Sequence, residues 1–184
     1  MRILILIWAL GFAGSAWAVQ PGLGFGENPR LDELFAELQG EDGKQAKTAE
    51  AEVQRIFRQS GSAAMDLLLH RGYDALGVDD FDMAIWHFSA LIDHAPEFAE
   101  GYNGRAVAYF MKGRLGEAIA DVEMALALNP RNFGALAGLG AINEEIGNPE
   151  AALVAYKAAL ALNPHSTDIA ESVKRVEDQL SVLH

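Results

Sequence analysis

The sequence predicts an all-α protein, a solenoid of stacked helical hairpins, and three observations lead to this fold class. The segment ALALNP occurs at Ala125–Pro130 and again at Ala159–Pro164, so that the two copies start 34 residues apart. Each 34-residue unit holds two stretches of helical apolar periodicity, separated by a short turn. One proline closes each unit, at Pro96, Pro130 and Pro164. Units of this length and composition bury their apolar faces by stacking on one another.

Residues 1–18 have the layout of a secretory signal peptide. Arg2 precedes an apolar run from Ile3 to Ala13, and the small residues that follow surround an A-x-A cleavage site at Ala16–Ala18. We expect cleavage after Ala18, no membrane insertion afterwards, and a location in the periplasm or further outside. The rival interpretation is a retained membrane anchor, but a spanning helix needs about 20 apolar residues. The complete lack of cysteine agrees with export and excludes disulfides and thiolate metal sites.

Two segments precede the repeats. Residues 19–30 contain three glycines and two prolines, which predicts a flexible linker. Residues 31–64 carry apolar periodicity at Leu31–Leu38 and at Ala49–Phe57 but lack the alanine and proline of the later units. We interpret this block as a degenerate hairpin that caps the N-terminal end of the solenoid.

Three repeats follow, over residues 65–98, 99–132 and 133–166. Positions that recur every 34 residues form columns when the three repeats are aligned. One column holds small residues, a second holds alanines, and a third holds larger side chains. We expect the first two columns to allow a close approach of the paired helices and the third to fill the gap to the next repeat. The columns are Gly72, Ala106 and Gly140, then Ala84, Ala118 and Ala152, then Phe88, Val122 and Tyr156.

The cluster Asp79-Asp80-Phe81-Asp82 is acidic enough to suggest a calcium loop. It lacks the glycine at the sixth position and the glutamate at the twelfth that such a loop requires. We expect Asp79 or Asp80 to cap the second helix of the first repeat instead.

Residues 167–184 predict an amphipathic helix with one apolar stripe and one charged face. A solenoid needs such a helix to cover the apolar edge of its last repeat. The stripe consists of Ile169, Val173, Val176 and Leu180.

The repeats resemble the tetratricopeptide repeat family, of an exported bacterial type. The family pattern is matched in the second repeat at Tyr102, Ala106, Tyr109, Ala118 and Pro130, and the matching repeats cover about 102 of the 184 residues. Ala75 and Asn143 depart from the pattern in the tyrosine column. The resemblance implies a right-handed superhelix whose first helices line a concave groove for peptide segments.

The resemblance carries the groove onto residues of the first helix of each repeat. One subset of the family grips a carboxylate with lysines, asparagines and an arginine. In this sequence the column where that subset has its first lysine holds Leu69, Asn103 and Ala137, so that the carboxylate clamp is absent. The groove residues are Leu69, Tyr73, Leu76, Asn103, Val107, Phe110, Met111, Ala137, Ala141, Glu144 and Glu145.

No pattern in the sequence indicates catalysis, a cofactor or a metal. The histidines have no metal-ligand spacing, and His87 and His94 lie seven residues apart on one helix. No serine stands in a nucleophile motif. The net charge of −12 argues against nucleic acid as a partner.

The sequence therefore predicts a non-enzymatic scaffold of the cell envelope that binds another protein in the groove. An apolar N-terminal half and an acidic C-terminal half, at Glu144 and Glu145 with Glu100 nearby, predict an apolar partner segment that carries lysine or arginine. Two alternatives stay open. One is an enzyme, and the other is a structural or self-associating module whose groove is filled by its own N-terminal helices.

Overall fold

The structure is a computed structural model that describes residues 28–182. The predicted signal peptide, most of the predicted linker and the last two residues lie outside the described residues. The described part contains nine α-helices and no strand, which confirms the all-α solenoid. The helices are α1 Pro29–Leu38, α2 Gly43–Phe57, α3 Ala63–Gly77, α4 Phe81–His94, α5 Ala99–Met111, α6 Leu115–Leu128, α7 Phe133–Glu145, α8 Pro149–Leu162 and α9 Thr167–Val182.

Local chemistry explains where several of these helices begin. Asn28 accepts a hydrogen bond from the Leu31 amide, and Pro29 opens α1 with a ring that fixes a helical φ. The helix thus starts inside the segment predicted to be a linker. Asp80 accepts from the Met83 amide at 3.1 Å, which confirms the predicted cap on α4.

The three repeats are the hairpins α3–α4, α5–α6 and α7–α8. In two of them the small residue of the first helix faces the aromatic ring of the second, rather than the alanine predicted opposite it. A Cβ on Gly72 would lie 2.5 Å from the Phe88 ring, and one on Gly140 would lie 2.6 Å from the Tyr156 ring. The Phe88 ring also touches Gly104 of the following repeat, so it joins two repeats as predicted.

Helix α9 closes the C-terminal end of the repeats. Ile169, Val173 and Val176 are buried in one cluster with Tyr156, and Leu180 packs at its edge. The opposite side of α9 is exposed and charged.

The sequence predicted that the α1–α2 hairpin caps the first repeat, and the structure shows that it does not. It packs instead on the last repeat and α9, about 100 residues further along the chain. Phe57 lies 6.4 Å from Phe133 between ring centroids. The Gln39 side-chain amide donates to the Ala161 and Leu162 carbonyls at the end of α8.

Contacts from two loops hold the hairpin in this position on the last repeat and α9. The Arg131 guanidinium pairs with Asp32 and lies over the Phe35 ring at 3.8 Å. The His165 ring nitrogen lies 2.6 Å from the Gly40 carbonyl oxygen.

The surface of α3 explains why the hairpin does not stack there. In α5 the positions that meet the preceding helix are Gly101, Gly104 and Ala108, which are buried and leave room for close packing. The equivalent positions in α3 are Leu67, His70 and Asp74, which are all exposed. These larger and charged side chains do not allow the close packing that the glycines of α5 make, and a cleft of about 520 Å³ lies between α2 and α3.

None of the helices in the described part of the chain is both long and apolar enough to cross a bilayer.

Candidate protein-binding surface

The first helices of the repeats, α3, α5 and α7, form one side of the solenoid, which we call the inner face. All eleven predicted groove residues belong to these helices. The structure divides them into three parts: a polar cluster around Glu100, an open apolar patch, and a C-terminal part against the hairpin and α9.

The polar cluster is centred on the Glu100 carboxylate, which is almost fully buried. The Tyr73 hydroxyl donates to Oε1 of Glu100 at 2.6 Å, and the Asn103 amide donates to the same atom at 3.1 Å. The Asn132 amide donates to Oε2 at 3.2 Å. A buried carboxylate costs several kcal/mol unless such donors satisfy it, so the cluster ties together α3, α5 and the residue that caps α7.

The open apolar patch consists of Val107 and Met111, with Leu76 and Phe110 half-buried beside them. Val107 is 42% exposed and Met111 is 53% exposed. The two residues are four apart on α5, so their side chains lie next to each other. Leu69, which the sequence placed on the same surface, is buried in the core of the first repeat.

The C-terminal part differs from the predicted acidic half of the groove. Glu144 accepts hydrogen bonds from the Arg175 guanidinium at 2.7 Å and from the Tyr156 hydroxyl at 2.7 Å. This carboxylate is therefore occupied within the chain, and Glu100 is buried. Glu145 alone is exposed.

The hairpin also reaches this part of the inner face. Ala137 packs against the cluster that α1 and α2 form with α7, and it is half-buried like Ala141. The predicted groove is thus partly filled by the chain's own N-terminal helices at α7, and open at α5.

The cleft between α2 and α3 adjoins the inner face. Arg58, just after α2, places its guanidinium 4.9 Å from the centroid of the Tyr73 ring. Such a contact over an aromatic face is favourable by about 0.5–1 kcal/mol at an exposed site. Ser60, in the same segment, donates from its backbone amide and its hydroxyl to the Asp66 carboxylate at 2.8 and 2.6 Å, so polar contacts join this segment to α3 although α2 and α3 do not pack closely.

Sequence reasoning missed Asn132 and the inward position of Glu100. Asn132 begins α7 by accepting from the Ala135 amide at 3.0 Å, and its own amide points to Glu100. An asparagine after the repeat-closing Pro130 predicts a cap, but nothing in the sequence shows that its amide meets a carboxylate 32 positions earlier. Within the described residues, no group of three or more His, Cys, Asp or Glu side chains could hold a metal ion.

The environment shifts the pKa of three of these side chains. Burial and then the Glu100 charge raise the pKa of Tyr73 well above its usual value. Burial and the hydrogen bond to Glu144 raise the pKa of Tyr156 to about 12. The Arg175 hydrogen bond lowers the pKa of Glu144. Both tyrosines therefore favour the protonated, hydrogen-bonding form in the folded protein.

These tyrosines predict a loss of stability at alkaline pH. A raised folded pKa stabilises the protein fully below the unfolded pKa of about 10, and this contribution disappears as pH rises through the folded pKa. We expect the melting temperature of the unsubstituted protein to fall between about pH 10 and 12. A Tyr73→Phe, Tyr156→Phe double variant should show a shallower fall in melts followed by circular dichroism.

Tyr102→Phe is the control, because the Tyr102 hydroxyl has no carboxylate partner among the described residues. It should keep the steep fall of the unsubstituted protein. Equal slopes for the double variant and the control would contradict the assignment.

Comparisons with known proteins place the chain among repeat proteins. A family model described as "Tetratricopeptide repeat" matches residues 69–132 and 118–167, and the matches together span more than half of the chain. A TPR repeat-containing protein of Rhizobium etli is 31% identical over 153 residues, which cover 83% of this chain and 75% of the relative.

Two further similarities are more distant. Small glutamine-rich tetratricopeptide repeat-containing protein 2 of Saccharomyces cerevisiae is 28% identical over 74% of this chain and 41% of its own length. The solved structure of the first TPR of Spaghetti, bound to the HSP90 peptide SRMEEVD, has a TM-score of 0.61 and 24% identity. That alignment covers 64% of this chain and 93% of the solved one.

Proposed function

Because the chain belongs to the tetratricopeptide repeat family, we propose that it binds another protein through its inner face and catalyses no reaction of its own. The similar Spaghetti domain holds a peptide, which supports a protein or peptide partner here. The proposal depends above all on one observation, the exposed apolar pair Val107 and Met111 on an inner-face helix.

The partner we propose is an apolar segment. Val107 and Met111 offer an exposed apolar surface, and methionine adapts its shape to irregular ligands. Leu76 and Phe110, also on the inner-face helices, are half-buried because they pack against the repeat cores. Apolar contacts at the centre of an interface supply most of its binding energy.

A basic residue in the partner segment would meet Glu145, the exposed carboxylate of the C-terminal part. Since Glu144 is paired with Arg175 and Glu100 is buried, this electrostatic preference is weaker than the sequence suggests. Exposed charges of this kind mainly affect the association rate and the salt dependence.

We place this role outside the cytoplasm, in the bacterial cell envelope, on the strength of the predicted signal peptide. The lack of a catalytic motif and the family's role in protein interaction both support a scaffold without enzymatic activity.

A second candidate function is favoured by the position of the hairpin. Leu31, Leu34, Phe35 and Leu38 are buried against the C-terminal repeats, where an external ligand would otherwise dock. A module of this kind would use its groove to hold its own N-terminus and would serve a structural role.

The two candidates differ in what substitution of the open patch does. We expect a Val107→Glu, Met111→Glu double variant to lose at least about 90% of partner capture, because two carboxylates would be buried in an apolar contact. The measurement is quantitative pull-down from a cell-envelope extract, with the bound protein identified by mass spectrometry. Helical circular dichroism should stay unchanged, since both side chains are exposed.

Val154→Glu is the matched control, because Val154 is strongly exposed on α8, a second helix of a repeat, away from the inner face. This control should capture the same partner as the unsubstituted chain. If the double variant also captures it equally well, the open patch is not the binding site and the structural role is favoured.

A further inference from the structure

The N-terminal end of the solenoid presents a stripe that nothing in the described chain covers. On α3, Leu67, Arg71 and Asp74 are followed by Val78 at the helix end, with spacings of four, three and four residues. Such spacings place side chains on one side of a helix. Leu67 is 51% exposed, Val78 is 75% exposed, and both charged residues are exposed. The α1–α2 hairpin faces the adjoining side of α3 across the cleft, whose lining includes Arg58, Tyr73 and, at the border of the stripe, Asp74.

The same positions in the second repeat form an interface. Arg105, which corresponds to Arg71, makes a double hydrogen bond to Asp121 at 2.7 and 2.8 Å and a third to Ser89 of the preceding repeat. In the first repeat, His87 stands where Asp121 stands in the second. Proximity to Arg71 contributes to a lowered pKa of His87, after burial. Arg71 therefore has no carboxylate partner within the described residues, although its position is one that the fold uses for stacking.

The stripe is self-complementary: a second copy laid antiparallel on it would place apolar residues against apolar ones and opposite charges against each other. Read from Leu67 to Val78, the stripe is apolar, positive, negative and apolar, and its centre lies between Gly72 and Tyr73. Two copies of α3 laid antiparallel across a twofold axis at this centre would place Leu67 against Val78 of the other copy. Arg71 would then meet Asp74 of the other copy, twice. A twofold interface requires this kind of self-complementary patch.

We propose that a second copy of this chain docks on the Leu67–Val78 stripe, end to end, with the two α3 helices antiparallel about a twofold axis. The charged C-terminal surface of α9 offers no comparable apolar stripe, so the same end of both copies forms the contact. This surface is separate from the inner face, and the proposal does not depend on the proposed function.

A charge exchange tests the pairing. In sedimentation equilibrium over a range of protein concentrations, the unsubstituted protein should dimerise. Arg71→Asp and Asp74→Arg should each weaken the dimer at least tenfold, about the effect of one unfavourable charge contact or more. The double variant Arg71→Asp, Asp74→Arg should restore dimerisation, because the pairs are re-formed with exchanged signs.

Mixing the two single variants provides a second readout. One variant has two acids and the other two arginines at these positions, so the mixture should form a heterodimer that neither variant forms alone. Because the chain has no cysteine, Leu67→Cys with Val78→Cys should also give a covalent dimer on mild oxidation. Neither single cysteine variant should do so, since each cysteine faces the other position.

Lys174→Asp on the exposed side of α9 is the control and should leave the dimer unchanged. A monomer at every concentration would overturn the proposal. So would a dimer that withstands both single charge changes, since the copies would then meet elsewhere. A different protein bound on the stripe would show up as monomers that lose this partner on Arg71→Asp, and this too would overturn the twofold contact.

Discussion

Phe88→Ala is expected to lower the free energy of unfolding by about 3–5 kcal/mol, the usual cost of removing a fully buried aromatic ring. The Phe88 side chain is completely buried, and its ring edge lies against Gly72 of its own repeat and Gly104 of the next. Its removal leaves a cavity between two backbones that carry no side chains to fill it. Since domains of this size are stable by only about 5–15 kcal/mol, a large share of the total would be lost.

The loss should be concentrated at the junction of the first two repeats. In a solenoid each repeat is stabilised mainly by its neighbours, so a defect at one junction weakens the repeats on both sides first. We expect α3, α4 and α5 to lose protection in hydrogen exchange while α8 and α9 keep it.

Trp86→Ala is the matched control on the same helix. Trp86 is larger than Phe88 but mostly exposed, with the His87 ring as its aromatic neighbour. Substitutions at exposed positions usually change stability by less than about 0.5 kcal/mol. If the two variants had equal denaturant midpoints, the ring of Phe88 would not be the contact that joins the repeats.

The repeat register made most of the fold predictable. Proline and the glycine turns mark helix boundaries, and the columns identify which side chains are buried, so α3 to α8 lie within a few residues of where the sequence puts them. This works because each repeat touches only its neighbours and repeats the same contacts. The pairing of Gly72 with Phe88 was missed because spacing shows which residues share a column, but not which columns touch.

The position of the α1–α2 hairpin on the last repeat and α9 could not be derived from the repeat register. Its contacts join Asp32 to Arg131 and Gln39 to Leu162, which are 99 and 123 residues apart and outside any repeat period. The sequence did contain one signal: Leu67, His70 and Asp74 stand where the later repeats have small or apolar residues. These side chains make α3 unsuitable for close stacking, so the hairpin had to bury its apolar side elsewhere.

The inner face was predicted in part for the same physical reason. Exposure of Val107 and Met111 follows from their position on the first helix of a repeat. The burial and hydrogen bonding of the carboxylates do not follow from position in the repeat, because they depend on which donors the folded chain brings near. Arg175 reaches Glu144 from α9, and the donors to Glu100 come from α3, from α5 and from the residue that caps α7, namely Tyr73, Asn103 and Asn132.

The largest effect on the C-terminal repeats is expected from Leu34→Ala with Leu38→Ala. Both side chains are fully buried in the cluster that joins the hairpin to α7, α8 and α9. Each truncation of this kind lowers the free energy of unfolding by about 2–5 kcal/mol, so the hairpin should detach from α7, α8 and α9. The apolar side chains beneath it, Phe133 and Leu136 among them, would then be open to water.

Hydrogen exchange read by mass spectrometry identifies the surface that the hairpin leaves. We expect faster exchange in α1, α2, α7 and α9, whereas α3 and α4 should exchange as before, because the hairpin does not pack closely on them. Met124→Ala is the control, since Met124 is an apolar residue of similar size at an exposed position of α6, away from the hairpin and from the Leu67–Val78 stripe. Faster exchange in α3 with α7 and α9 unchanged would mean that the hairpin stacks on the first repeat, the position that the sequence alone had indicated.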